Sequence, residues 1–284
     1  MKPAELDREW LASFLRARAV PGLETVGPRS YCRAIRAPSG PTLVWIDWGP
    51  DPRGPIRSGS SPPLRPLERR SLVARLLDLD TDLEPFRRMA RADPVLGPLV
   101  RRRPAVRRPL ILDPFEGLVR ALVGQQVSVA AARTVIGRIV ERFGPPLGSR
   151  HGTRYRLFPD PALIAAAGGP RLQAVGLTHA RAESIAALAA AQVEGRLDWA
   201  RLAALPGEEA QRALESFRGI GPWTAAYLRM RVLGDPDAFP ATDLGVIRAL
   251  ERLGVKSSRI ALAADRWRPW RAYATIHLWA AGHS

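Results

Sequence analysis

The chain holds a single cysteine, Cys32, among 284 residues. That excludes an internal disulfide, a Cys-rich zinc site and a four-cysteine iron–sulfur cluster. Lysine is nearly as scarce: only Lys2 and Lys256 occur. The basic charge is therefore almost all arginine, and most of the chain lacks an amine nucleophile. The opening MKPAELDREW contains no apolar signal segment. No uninterrupted apolar run reaches the roughly 18 residues that a membrane helix needs. A cytosolic location is the expectation.

What is present is a large apolar fraction, 46%, and a net charge of +16. The first supplies a core, so the chain is not disordered. The second points to a polyanionic partner. Residues 1–108 read as an α+β domain. Leu6, Trp10, Leu11, Phe14 and Leu15 fall on one face of a helix between Pro3 and Ala17. Ser30–Ala37 and Thr42–Trp48 are rich in bulky and β-branched residues and read as strands around a Pro38-Ser39-Gly40-Pro41 turn. Gly49–Pro66 reads as a polar loop, followed by helices over Glu68–Asp78 and Asp82–Arg91. The arginine run from Arg101 to Arg108 is either a solvated connector or a phosphate-facing strip.

Residues 109–284 read as all-α. Asp113-Pro114-Phe115-Glu116 is a helix start with a capping carboxylate and a proline at the first position. Helical patterns follow over 114–124, 128–142, 161–167, 179–194, 208–217, 222–233, 243–253 and 259–279, the last broken near Pro269. No strand pattern and no internal repeat are visible in this half.

The most informative stretch is LESFRGIGPWTAAYLRMRVLGDPDAFPATDLGVIR, from Leu214 to Arg248. Gly219 and Gly221 flank Ile220 between two helices, where the absence of Cβ atoms lets a backbone approach closely. Pro222 suits the first position of the second helix, whose unpaired N–H groups and dipole favour an anion. Such a hairpin grips a phosphate without reading sequence, and Gly219, Gly221 and Thr224 are its candidate DNA contacts. A plain turn between helices has the same glycines. The carbonyls of Glu215, Phe217 and Ile220 are candidates for holding Na+ or K+ beside the phosphate.

Asp243 starts a later helix. It is either a cap or a carboxylate placed to stabilise positive charge on a sugar carbon as a base departs. Trp223 and Tyr227 share a helix face, and with Trp279 they can line a pocket for an unstacked base. Each aromatic face would favour a cationic base by roughly 0.5–2 kcal/mol. Trp267 and Trp270 read as packing and His277 as a core histidine. Asp235 and Asp237 read as solvated, and Glu251 and Asp265 as helix-surface charges.

Together these residues resemble the helix–hairpin–helix DNA glycosylase superfamily, and within it the bacterial AlkA-type 3-methyladenine DNA glycosylases II. The resemblance covers nearly the whole chain and rests on FLRARAVPGLETV, DPFEGLVRALVGQQVSVAAA, GIGPWTAAYLRMR, FPATDLG and RWRPWRAYATIHLW. It implies a small antiparallel sheet with helices in the first region and a helical second region carrying the site. It implies Asp243 as the catalytic aspartate and Trp223, Tyr227 and Trp279 as the base pocket. It also assigns the Glu215, Phe217 and Ile220 carbonyls to a monovalent cation. Members that also cut the strand carry a lysine two residues past the second hairpin glycine, and here that position is Trp223. The expected activity is therefore base release from duplex DNA without strand cleavage, and no redox cofactor is required. Gln126 stands where the best-known pattern has a leucine wedge, with Gln125 the other candidate for that role. A monomer is the default. Two other readings stay open at this point: a non-catalytic DNA binder of the same fold, and a glycosylase for oxidised or deaminated bases.

Overall fold

The computed structural model describes residues 5–51 and 54–282. The first helix, α1 (Arg8–Arg18), starts one turn later than its apolar pattern suggests, because Asp7 caps it by accepting from the Trp10 amide at 2.9 Å. Pro3 lies outside the described residues. A four-stranded antiparallel sheet follows in the order β1 (Glu24–Val26), β2 (Ser30–Ala37), β3 (Gly40–Asp47) and β4 (Arg57–Ser61). The β2–β3 hairpin runs from Ser30 opposite Asp47 to Ala37 opposite Gly40. Strands β1 and β4 are additions to the two-strand reading. The loop expected over 49–66 contains β4, whose Gly59 leaves room for the Trp45 indole lying across it.

Both faces of the central strands are covered. Tyr31, Ile35, Val44 and Ile46 join one core, and Cys32, Ala34 and Leu43 join another. The first core also takes in α1, α2 (Pro66–Leu77), α3 (Glu84–Ala92) and α4 (Leu96–Arg102), together with residues 246–280 near the C-terminus. The second is built from residues 111–232 against the opposite face of the sheet. This explains why β3, with Leu43-Val44-Trp45-Ile46, reads as an apolar run rather than as an alternating one.

The arginine run needs correction. Arg101 and Arg102 are exposed at the end of α4, but Arg107 and Arg108 are buried. Arg107 donates to the carbonyls of Glu5, Asp78 and Thr81, and Arg108 to those of Gly234 and Asp235. The second half of the run is thus internal bracing, neither solvated nor facing phosphate.

The helical region continues through α5 (Pro114–Gly124) and α6 (Val129–Phe143). It is not purely helical. Strands β5 (Pro146–Arg150) and β6 (Thr153–Arg156) form a hairpin turned by His151 and Gly152, with φ of 48° and 77°. Helices α7 (Pro161–Gln173), α8 (His179–Val193), α9 (Trp199–Ala204), α10 (Gly207–Glu215) and α11 (Pro222–Leu228) follow. Helix α11 runs on into a π segment over Arg229–Leu233. The chain ends with α12 (Leu244–Arg252), α13 (Ile260–Asp265) and α14 (Arg271–Ala281), the last two separated around Pro269 as the sequence predicts. Among the described residues no helix is long and apolar enough to cross a membrane.

Candidate active site

The α10–α11 turn is a helix hairpin. Ile220 is buried and its amide donates to the Phe217 carbonyl at 3.1 Å, which fixes the turn. Gly219 is exposed with φ +94°, and a Cβ there would lie 2.8 Å from the Ser184 hydroxyl of α8. Gly221 differs: its φ of −95° suits any residue, and a Cβ would meet nothing of the protein within 4 Å. The space over Gly221 is open, at the start of a helix whose first-turn amides have no helical partner. Thr224 does not face that space. It is 1% exposed, and its hydroxyl accepts from the Gln125 amide at 2.9 Å, so as a contact it offers only backbone.

Gln125 also donates to the Gly219 carbonyl at 3.2 Å, and its own carbonyl accepts from Arg181. Its side chain braces the hairpin. Gln126 is exposed in the left-handed region, φ +56°, a conformation a non-glycine residue adopts at some cost.

Beside the hairpin a cavity of about 770 Å³ opens to the surface. Trp223 and Tyr227 stack along one wall with centroids 5.4 Å apart, as their spacing on α11 predicts. Trp279 of α14 forms another wall and lies 6.4 Å from the Phe14 ring. Between them stands Asp243. Its Oδ1 accepts from the Trp279 indole at 3.0 Å and from the Val246 amide at 3.0 Å; its Oδ2 accepts from the Trp223 indole at 2.9 Å. Asp243 is thus a helix cap and a cavity carboxylate at once. Two aromatic rings hold it edge-on, and the carboxylate stays partly exposed. Gly245 permits this closeness, since a Cβ there would come within 3.0 Å of Asp243 Oδ1 and 3.3 Å of the Trp279 ring. Leu244, 61% exposed, and the exposed Val127 and Val129 give the mouth an apolar rim.

Deeper in the cavity lies a charge network that no motif announced. Glu116 of α5 pairs with Arg33 at 2.5 Å and with Arg120 at 2.8 Å. Glu24 of β1 accepts from Arg120 and from the Tyr31 hydroxyl. Burial alone would raise the Glu24 carboxyl, but Arg120 and Arg33 hold it below the usual carboxylate range. Arg18 and Arg231 line the same space. A sequence signal for these last two exists: each lies one turn beyond an aromatic, Arg18 after Phe14 and Arg231 after Tyr227.

Trp267 is fully buried, Trp270 packs on Phe86 and Tyr273, and His277 sits in the core outside the cavity. Asp235 and Asp237 are not merely solvated. Asp235 pairs with Arg229 at 2.6 Å, and Asp237 with Arg268 at 2.6 Å and Arg271 at 2.8 Å. These pairs tie the loop after the π segment to Arg268 and to the first residue of α14. Glu251 and Asp265 are exposed, as read.

The family profile described as HhH-GPD superfamily base excision DNA repair protein matches residues 119–272, and the AlkA N-terminal domain profile matches residues 3–113. The chain belongs to this superfamily. Relatives agree along nearly its full length. It is 34% identical to "DNA-3-methyladenine glycosylase 2" of Escherichia coli, over 96% of this chain and 93% of that protein. It is 39% identical to "Probable bifunctional transcriptional activator/DNA repair enzyme AlkA" of Mycobacterium tuberculosis, over 95% of this chain and 54% of that one. The chain therefore spans about half the length of the latter relative. Among solved structures, the 3-methyladenine DNA-glycosylase from Archaeoglobus fulgidus superposes with a TM-score of 0.84, at 26% identity, covering 100% of this chain and 97% of that one. The two regions of a superfamily member are thus both present: a small antiparallel sheet with helices, then the helical region carrying the hairpin and the cavity.

Proposed function

We propose that this protein is a DNA N-glycosylase that extrudes alkylated bases from duplex DNA and hydrolyses their bond to deoxyribose, leaving an abasic site. One observation carries the reading: the Asp243 carboxylate, fixed by two indoles and an amide, in the wall of an aromatic cavity that opens beside the hairpin. A carboxylate in that place faces the sugar of any nucleotide whose base enters the cavity. The names of the relatives fit this activity, which is proposed for the chain itself.

The steps follow from the geometry. The hairpin amides near Gly219 and Gly221 bind a phosphate, and the open space over Gly221 admits the backbone. The damaged nucleotide rotates out, at a cost of a few kcal/mol. Gln126 fills the gap it leaves. Of the two glutamines it is the one that is exposed and projecting, because Gln125 is spent on Gly219 and Thr224. The base stacks against Trp223 and Tyr227. Asp243 stabilises the oxocarbenium-like sugar as the base leaves, and water adds to C1′. An N-alkylated purine departs as a neutral molecule and needs little acid help. Trp223 occupies the position of the strand-cutting lysine, so base release stands without a lyase step.

The carbonyls of Glu215, Phe217 and Ile220 fit a monovalent cation by their chemistry. All are hard backbone oxygens at the end of α10 and in the turn after it, and the Phe217 oxygen, which accepts from the Ile220 amide, keeps a second lone pair for an ion. Bound there, Na+ or K+ would offset phosphate charge. We further propose two domains, an α+β domain over 1–108 and a helical helix–hairpin–helix region over 109–284 that carries Asp243, in a protein that acts in the cytoplasm as a monomer.

A panel of duplexes, each with one defined lesion, tests the function. Assayed for free base and then for strand breaks after alkali, alkylated duplexes should yield base and alkali-dependent breaks only. Breaks without alkali would contradict the monofunctional reading. Tight binding with no free base would leave a DNA-binding protein.

A further inference from the structure

The carboxylates of the cavity wall are all engaged, yet of its arginines only Arg33 and Arg120 pair with one; among the rest, Arg18 and Arg231 are the two that lie against an aromatic ring. Glu24 and Glu116 are held by Arg33 and Arg120, and Asp243 by indoles and an amide. Among the described residues no carboxylate lies within 4.0 Å of Arg18 or Arg231. Both guanidiniums instead crowd the Phe14 ring, at 3.9 and 5.0 Å from its centroid. Arg231 is the more confined, 4% exposed. Its Nε donates to the Pro109 carbonyl at 2.8 Å, its face lies 5.8 Å from the Tyr227 ring, and its Nη1 has no hydrogen-bond partner. Burial lowers the affinity of each for its proton: Arg18 falls to about 10, with burial first and the charge of Arg231 next among the causes, and Arg231 is lowered first by burial, with Arg120 and Arg108 adding to it. An arginine is still charged at neutral pH, and a buried charge with unused donors is costly.

Position suggests what those donors meet. Trp223, Tyr227 and Arg231 follow one another at four-residue spacing along α11 and its π continuation. A π segment inside a helix is uncommon and often marks a working site. A base stacked on Trp223 and Tyr227, with its sugar at Asp243, directs its far edge toward the next turn.

We infer that Arg231 is a specificity-determining residue, which donates a charge-assisted hydrogen bond to a carbonyl oxygen on the far edge of the extruded base. It favours neutral bases with an acceptor edge over bases that carry positive charge, which the aromatic walls alone would prefer. This rests on the glycosylase reading above and assigns selectivity within it.

Single-turnover base release from two DNA substrates tests it, one containing hypoxanthine, neutral with a carbonyl, and one containing 3-methyladenine, cationic without a carbonyl. Arg231→Met should lower the hypoxanthine to 3-methyladenine rate ratio by about tenfold or more, because the neutral base loses a donor while the cationic base loses a repelling charge. Arg231→Lys keeps the charge but loses the planar donors, and it should lower the same ratio; it decides the matter alone if Arg231→Met does not fold. An equal loss on both substrates, or an unmoved ratio, overturns the role of Arg231 and leaves the glycosylase reading intact. A wild-type protein that binds both substrates and releases neither base overturns both.

Discussion

Asp243 and His277 are both ionisable and both adjoin the C-terminal helices, yet their surroundings treat them oppositely. Asp243 is given three donors and partial access to water. His277 is 2% exposed beside Phe86, and burial, with repulsion from Arg87, drives its pKa down to about 3. It is neutral when folded and takes up a proton near pH 6.5 when unfolded. Folding stability from this residue is therefore complete above about pH 6.5 and is lost as pH falls toward 3, by up to about 1.4 kcal/mol per pH unit. Urea midpoints measured at pH 7 and 5 should drop in the wild-type protein and drop distinctly less in His277→Phe. Equal drops in both would show that His277 does not set the acid limit.

At the scale of elements, the two hairpin glycines have different tasks. Gly219 is required by the protein, since its positive φ and the nearby Ser184 both oppose a side chain. Gly221 is required only by what comes from outside. Gly219→Ala should cost roughly 1–3 kcal/mol in denaturant unfolding. Gly221→Ala should unfold like wild type yet bind duplex DNA several-fold more weakly. A folding defect in Gly221→Ala, or unchanged DNA binding, would contradict the assignment of the open space to a DNA backbone. Elements with strong patterns were legible: α5 starts at Pro114 under the Asp113 cap, and the break before α14 falls around Pro269. Elements whose pairing is set at long range were not. β1 is three residues long, and β4 is the polar sequence RSGSS; both are strands only because β2 and β3 present edges to them. The β5–β6 hairpin hides in Pro, Gly and Arg residues, although His151-Gly152 is a turn of the Asn-Gly kind. The Trp223–Tyr227 face was legible because it depends on spacing along one helix, whereas Trp279 reaches the same cavity from α14. The Glu24–Arg120–Glu116–Arg33 network was not, because its members meet only when sheet and helices pack.

Across the whole molecule, the two cores wrap opposite faces of one sheet, and the cavity is bounded by elements from both halves of the chain. Phe14 and Arg18 come from α1, Trp223 and Tyr227 from α11, Asp243 from the start of α12 and Trp279 from α14. In the function proposed above, arginines on the exterior would grip DNA with an affinity that falls as salt rises, and a single carboxylate, Asp243, would lower the barrier to bond cleavage. Asn is a good helix cap, so Asp243→Asn keeps the start of α12 while removing the charge. Base release from methylated duplex DNA, measured under single-turnover conditions beside binding to the same duplex, is the most direct test. The account predicts that Asp243→Asn binds as wild type does and releases base at least about a hundredfold more slowly; release at a comparable rate by both proteins would contradict it.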